Sequence, residues 1–123
     1  LSVLKKFNKL ITIPLIPNNF KHAWYRCTVH VNDKYLKKGW SRNLIIDELR
    51  KLGIKVFVGS CPEIYLEKAF KNKIYKPKKR LTNAKKLGEN TLAFLTHPTI
   101  TLNEINYTTK CIYTILNKAK IKN

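Results

Sequence analysis

The chain has 123 residues, 44% hydrophobic and 26% charged, the balance of one globular domain and not of a collagenous, low-complexity or wholly disordered chain. Its 25 basic residues face 7 acidic ones, a formal net charge of +18 that admits a polyanionic partner. All of them except Arg26, Arg42, Arg50 and Arg80 are lysine, however, whereas sequence-reading proteins favour the bidentate guanidinium.

The uncharged stretch Leu92 to Leu102 contains Pro98 and is far short of the ~20 apolar residues a membrane span needs. Lys5 and Lys6 stand where a signal peptide would carry its apolar core. There is no methionine, so the chain is expected to be processed or a piece of something longer. Cys27, Cys61 and Cys111 are odd in number and widely spaced, which fits a reducing, cytoplasmic setting better than a disulfide framework.

In chain order, Leu1, Leu4, Phe7 and Leu10 have helical spacing and read as the end of a longer helix, which Pro14 and Pro17 terminate. From Trp24 to Asn32 the pattern alternates. Tyr25, Cys27, Val29 and Val31 share a predicted core face, with Trp24, Arg26, Thr28 and His30 opposite. Ser41 is a helix N-cap, with Trp40 and Ile45 placed as a hydrophobic staple. Ile45, Leu49 and Leu52 form that helix's apolar stripe, flanked by Leu44 and Ile46, with Asp47 and Lys51 four apart on the wet side. Gly53 ends the helix, and Ile54 to Val58 reads as a short buried strand, completing a βαβ-like unit.

Gly59 to Pro62 breaks that strand. Helical periodicity is predicted from Glu63 to Phe70 and again from a cap at Thr82 to Asn90, where Gly88 weakens it. A basic run of Lys71, Lys73, Lys76, Lys78, Lys79 and Arg80 lies between them and reads as a solvated loop. Leu92 to Thr96 is a predicted strand. Thr101 and Glu104 form a capping box, with Ile100 and Ile105 as its staple and Ile105, Ile112, Ile115 and Leu116 on one face of the last helix. The fold class is therefore α/β (α+β), a small sheet of about three strands with helices mainly on one face.

General catalytic signatures are absent: there is no glycine-rich phosphate loop and no nucleophile elbow. Cys27 and His30 fall on opposite faces of their strand and lack a second ligand pair, so no metal site is expected. Cys61, next to a predicted helix start, and His97 lack a third, orienting group for a thiol hydrolase.

Five segments in order carry more: His22-Ala23-Trp24-Tyr25, Gly39-Trp40-Ser41-Arg42, Gly59 to Phe70, Arg80-Leu81-Thr82-Asn83-Ala84 and His97-Pro98-Thr99. Together they resemble the C-terminal small domain of the DegT/StrS-type sugar aminotransferases, the branch with a Gly-Ser-Cys-x-Glu-Ile-Tyr segment, whose products enter lipopolysaccharide and related glycans. The resemblance implies the small-domain fold of fold-type I pyridoxal-phosphate (PLP) enzymes, with residues 1–20 as the end of the interdomain helix and a linker and residues 21–123 as the domain.

It also implies PLP as the intact family's cofactor and a nucleotide-sugar substrate. The Schiff-base lysine and most cofactor contacts lie in the family's preceding large domain. None of the lysines here sits in a motif like that one, so this chain alone is expected to bind no cofactor, to catalyse nothing, and to partner a large-domain chain or itself. The turn after the second strand would face the substrate, which makes Ser60, Cys61, Glu63 and His22 its candidate lining. Glu63 has two readings, a partner for a sugar hydroxyl or amine and a first-turn helix-dipole residue. Many relatives carry a histidine in this turn, and this chain does not. The apolar surface beside the turn, and Leu1, Leu4, Phe7 and Leu10, are expected to lack full cover. The alternative function, a free-standing basic nucleic-acid-binding module, lacks its aromatic motif: Lys55-Val56-Phe57-Val58-Gly59 has no RNP pattern.

Overall fold

The computed structural model describes residues 1–70 and 76–121, so Lys71, Lys73 and Tyr75 of the basic run lie outside the described residues. Its regular elements are α1 (Ser2–Lys5), β1 (Ile11–Thr12), β2 (Cys27–Val31), α2 (Arg42–Lys51), β3 (Val56–Phe57), α3 (Thr82–Asn90), β4 (Thr91–Phe94) and α4 (Leu102–Ala119). The sheet has four strands in the order β1-β2-β4-β3, every neighbouring pair antiparallel. β2 and β3 therefore run parallel with β4 between them, which makes β2-α2-β3 a split βαβ unit.

The register sorts the two faces. Val29 lies opposite Leu92 and Val56 opposite Phe94; these four are buried with the inner sides of α2 and α4. Thr28, His30, Thr91 and Ala93 fall on the other face, beside α3. This is the expected α/β class, with one strand more than expected. The extra one is the two-residue edge β1, too short to show alternation in the sequence, and Ile11 pairs there with Val31.

Several local expectations change. Only Ser2–Lys5 of the first segment is α-helical, and Leu1 is exposed. Leu4, Phe7 and Leu10 are fully covered within the main core rather than left open; Phe7 meets the Tyr113 ring edge-on at 5.7 Å. Tyr25 is 80% exposed, not in the core. Trp24 takes a φ of +49°, which turns the chain, so the extended run begins only at Cys27.

α2 is built as its residues dictate. The Leu44 N–H donates to Ser41 Oγ at 3.1 Å, and Trp40 lies half-buried against the core. At the far end Gly53 has φ +76°; its N–H donates to the Arg50 carbonyl and that of Ile54 to the Leu49 carbonyl, the Schellman pattern. Ile45, Ile46 and Leu49 are buried, but Leu52, at the C-cap, is exposed, and Lys51 pairs with Glu48 at 2.6 Å instead of with Asp47.

From Glu63 to Phe70 there is no α-helix but two short 3-10 turns, Ile64–Leu66 and Lys68–Phe70. Only Tyr65 of this stretch is buried, so there is no apolar stripe to seat a helix. Leu81, not Thr82, stands at the N-cap of α3, without a side-chain cap. The capping box of α4 closes both ways: the Glu104 N–H donates to Thr101 Oγ1 at 3.3 Å and the Thr101 N–H to Glu104 Oε2 at 2.8 Å. Its buried residues, Cys111, Ile112, Ile115, Leu116 and Ala119, are all in the second half; Ile105 is largely exposed. Among the described residues no helix is long and apolar enough to cross a membrane.

Candidate functional site

β3 ends in a turn whose backbone only glycine can make. Gly59 has φ +91°, and a Cβ there would stand 3.0 Å from Thr91 Cγ2. Three residues on, Pro62 rests on α3 at Gly88, where a Cβ would come within 2.2 Å of Pro62 Cγ. The glycine read as a helix weakness is thus the seat of the turn. Between the turn, β2 and α3 lies a cleft of about 350 Å³, lined by Arg26, Thr28 and His30 of β2's outer face and its approach, by Ser60, by Leu87 and by Thr91, among others.

The four candidate residues do not converge. Ser60 lines the cleft; Cys61, Glu63 and His22 lie outside its lining. Cys61 is exposed and its S–H points to Glu67 Oε1 at 3.5 Å. Glu63 is gripped by Arg80, whose Nε donates to Oε1 at 2.8 Å and Nη2 to Oε2 at 2.7 Å, and it also accepts the Tyr65 hydroxyl at 2.6 Å. Arg80 first, and Tyr65 second, pull its carboxyl from 4.5 to about 2. Burial, and next the adjoining Glu63 carboxylate, push the Tyr65 phenol up; its oxygen in turn accepts the Leu81 N–H at 3.0 Å. The stretch after Glu63 is a three-residue 3-10 turn, so it supplies no helix of a length that gives a sizeable dipole. His22 is exposed, its Nδ1 accepting the Trp24 N–H at 2.7 Å and its ring 4.3 Å from the indole.

Sequence reasoning missed the groups that frame the cleft. The Arg42 guanidinium donates to the Thr91 and Gly88 carbonyls at 2.8 and 3.0 Å, tying α2 to the α3–β4 junction. Arg50 donates to the Val56 carbonyl. The rarity of arginine in so lysine-rich a chain was the available signal: three of the four are engaged by backbone carbonyls or by Glu63, and so do not form a free basic face. Cys27 is half-buried on the core side, where burial pushes its thiol up, and His30 is on the opposite face, as the alternation requires. Among the described residues no group of three or more His, Cys, Asp or Glu could hold a metal ion.

The cleft does not suit PLP. Its lining has neither an amine to carry the cofactor nor a carboxylate to face the pyridine nitrogen, and every described lysine is exposed or half-exposed.

An aminotransferase from Psychrobacter cryohalolentis superposes with a TM-score of 0.88 at 38% identity, over 95% of this chain and 31% of that one. A DegT DnrJ EryC1 StrS aminotransferase from Brucella abortus superposes with a TM-score of 0.67 at 16% identity, over 92% of this chain and 29% of that one. The chain is thus similar, over nearly all of itself, to one part of DegT/StrS-type sugar aminotransferases. NtdA from Bacillus subtilis, solved with bound PMP, has the same fold at 16% identity and a TM-score of 0.72, over 94% of this chain and 26% of that one. The chain thus spans less than a third of the length of each of these proteins. No protein-family model matches the chain, and no curated protein sequence matches it.

Proposed function

We propose that this chain does the work of the small domain of a PLP-dependent sugar aminotransferase, residues 1–20 forming the connection and residues 21–123 the domain that closes over the substrate. The cofactor and the lysine that holds it belong to a large domain, the partner this chain requires. The single observation that carries the reading is the superposition on the Psychrobacter aminotransferase at 38% identity. The surface beside the turn supports it. Phe57, Val58, Ile64 and Leu66 are all largely exposed, an apolar rim around Ser60 and Cys61 of the kind that a second domain covers. Ser60 and Cys61 offer short polar contacts to the sugar. Glu63, committed to Arg80 and Tyr65, shapes the turn and presents a fixed negative charge to it. His22 enters this reading on the resemblance alone; its contact with Trp24 lies outside the cleft.

The experiment is to exchange the corresponding third of the Psychrobacter enzyme for this chain and to measure amino transfer to a nucleotide-linked keto sugar. Turnover above the background of the truncated host supports the reading. A folded, PLP-loaded chimera without turnover overturns it.

A further inference from the structure

The two ends of the chain meet on a face that the candidate site does not use. The first acidic residue is Asp33 and the last is Glu104, so everything before the end of β2 and most of α4 carry lysine without carboxylate. The fold packs α1 on α4 and brings these two stretches together. Beside them lies a cavity of about 530 Å³ with Lys6, Lys9 and Lys120 in its lining and no carboxylate. It shares no residue with the cleft beside the turn.

Lysine is common on this surface, but elsewhere it is offset. The cavity beside Trp40 has Asp33 and Glu89 with Lys37 and Lys38, and the one beside Tyr107 has Glu104 with Lys55. Here three like charges share one cavity without a counter-charge in its lining, and an anion relieves their repulsion. Two of them are steadied by rings: Lys6 Nζ is 5.8 Å from the Tyr113 centroid and Lys120 Nζ 5.5 Å from that of Phe7. Side chains already held lose less freedom when they bind.

The cavity is also apolar. The buried Phe7 and Leu10 lie at its base, and Tyr35 and Ile121 are exposed on it. Backbone hydrogen bonds fix its walls. The Ile121 N–H donates to the Tyr35 carbonyl at 3.0 Å, the Lys37 N–H to the Ala119 carbonyl at 2.8 Å and the Asn32 N–H to the Leu10 carbonyl at 2.7 Å. A simple anion would leave these apolar walls uncovered. A flat membrane surface or a nucleic-acid backbone brings charge but nothing to fill a concave site. All three cations are lysine, point charges without the fork that reads phosphate or base edges bidentately. Several carboxylates around one apolar group match both features.

We propose that this cavity docks an acidic segment of a partner protein. One apolar side chain of the segment packs against Tyr35 and Ile121, and its flanking carboxylates pair with Lys6, Lys9 and Lys120. The inference stands apart from the function proposed above.

The test titrates the 123-residue chain with the peptide acetyl-Glu-Glu-Phe-Glu-Glu-amide in a calorimeter. Two control peptides accompany it: one with glycine for the phenylalanine, the other with glutamine for every glutamate. The expected result is saturable one-to-one binding of the first, at least about tenfold tighter than either control and weakening as salt rises. Lys6→Glu and Lys120→Glu should each weaken it by about tenfold or more. Lys55→Glu makes the same change of net charge away from the cavity and should alter affinity by less than about twofold. All three lysines are exposed, so the variants are expected to fold.

No saturable binding overturns the proposal. Equal affinity for the glycine peptide would reduce the face to an unselective cationic surface, and equal affinity for the glutamine peptide would leave only an apolar pocket; either overturns it. A loss in Lys55→Glu as large as in Lys6→Glu would assign the binding to net charge and overturns it too. Phosphatidylserine vesicles or a DNA duplex that bind more tightly than the peptide, and lose that affinity in Lys6→Glu, would make this a membrane or nucleic-acid surface instead.

Discussion

Arg80 holds Glu63 by both carboxylate oxygens, two hydrogen bonds of 2.8 and 2.7 Å spanning seventeen residues of chain. With Tyr65 donating to the same carboxylate and accepting the Leu81 N–H, this clamp fastens the turn after β3 to the start of α3. It sets the geometry on which the candidate site depends.

The clamp makes stability depend on pH in a defined window. Glu63 is held at about 2 in the fold against 4.5 when free, so the fold binds fewer protons there than the unfolded chain. Its contribution is fully present above the unfolded value and disappears as pH falls through about 2. Glu63→Gln cannot titrate. Its urea midpoint should lie furthest below wild type above pH 4.5, and the two should converge as the pH approaches 2. Parallel curves across that range would show that the pair contributes nothing to stability.

Gly88→Ala should destabilise the protein even though alanine is the better helix former by about 1 kcal/mol. The new methyl would overlap Pro62, and overpacking costs roughly 1–3 kcal/mol. Pro62→Ala in the same chain removes the closest atom and should recover part of the loss. Urea unfolding of the four proteins in the cycle reads this. Gly88→Ala more stable than wild type would mean that the turn does not seat on α3.

Thr101→Ala opens the capping box of α4, and Ser41→Ala removes the cap of α2. Each should lower stability by about 1 kcal/mol. The two caps serve different helices, so their effects should add within a few tenths of a kcal/mol in the double variant.

These caps belong to what was legible in the sequence, since Ser41 and the Thr101–Glu104 pair act on backbone within three residues. Gly53 and the burial of Ile45, Leu49, Ile112, Ile115 and Leu116 were legible for the same local reason. Tyr25 was misplaced because alternation cannot reveal the positive φ at Trp24 that ends the strand. The segment after Glu63 was misread because Tyr65 alone is buried there, through hydrogen bonds to Glu63 and Leu81, the latter sixteen residues away. The cleft was invisible for a similar reason. His30, Arg42, Thr91 and Gly88 meet only once β4 pairs between β2 and β3 and α3 covers the outer face. The resemblance to sugar aminotransferases, by contrast, was readable from five short segments in order.

The chain by itself should form no stoichiometric adduct with PLP. Its described lysines are exposed or half-exposed, and the cleft beside the turn presents none to a cofactor. After incubation with PLP, borohydride reduction and peptide mapping, labelling should be slow and spread over many lysines. One lysine labelled to a full equivalent would contradict this.

The central claim is that the turn from Gly59 to Glu63 faces the substrate of an aminotransferase, and Cys61 reports on it directly. Of the three cysteines only Cys61 is exposed; Cys27 is half-buried with its thiol pushed up, and Cys111 is buried. In the PLP-loaded chimera with the Psychrobacter large domain, the decisive measurement is the rate of thiol labelling at Cys61 with and without a nucleotide-linked keto sugar. The account predicts that saturating sugar slows labelling at Cys61 by about tenfold or more while Cys27 and Cys111 stay unreactive. An unchanged rate at Cys61 in a chimera that binds the sugar would place the turn away from the substrate and contradict the account.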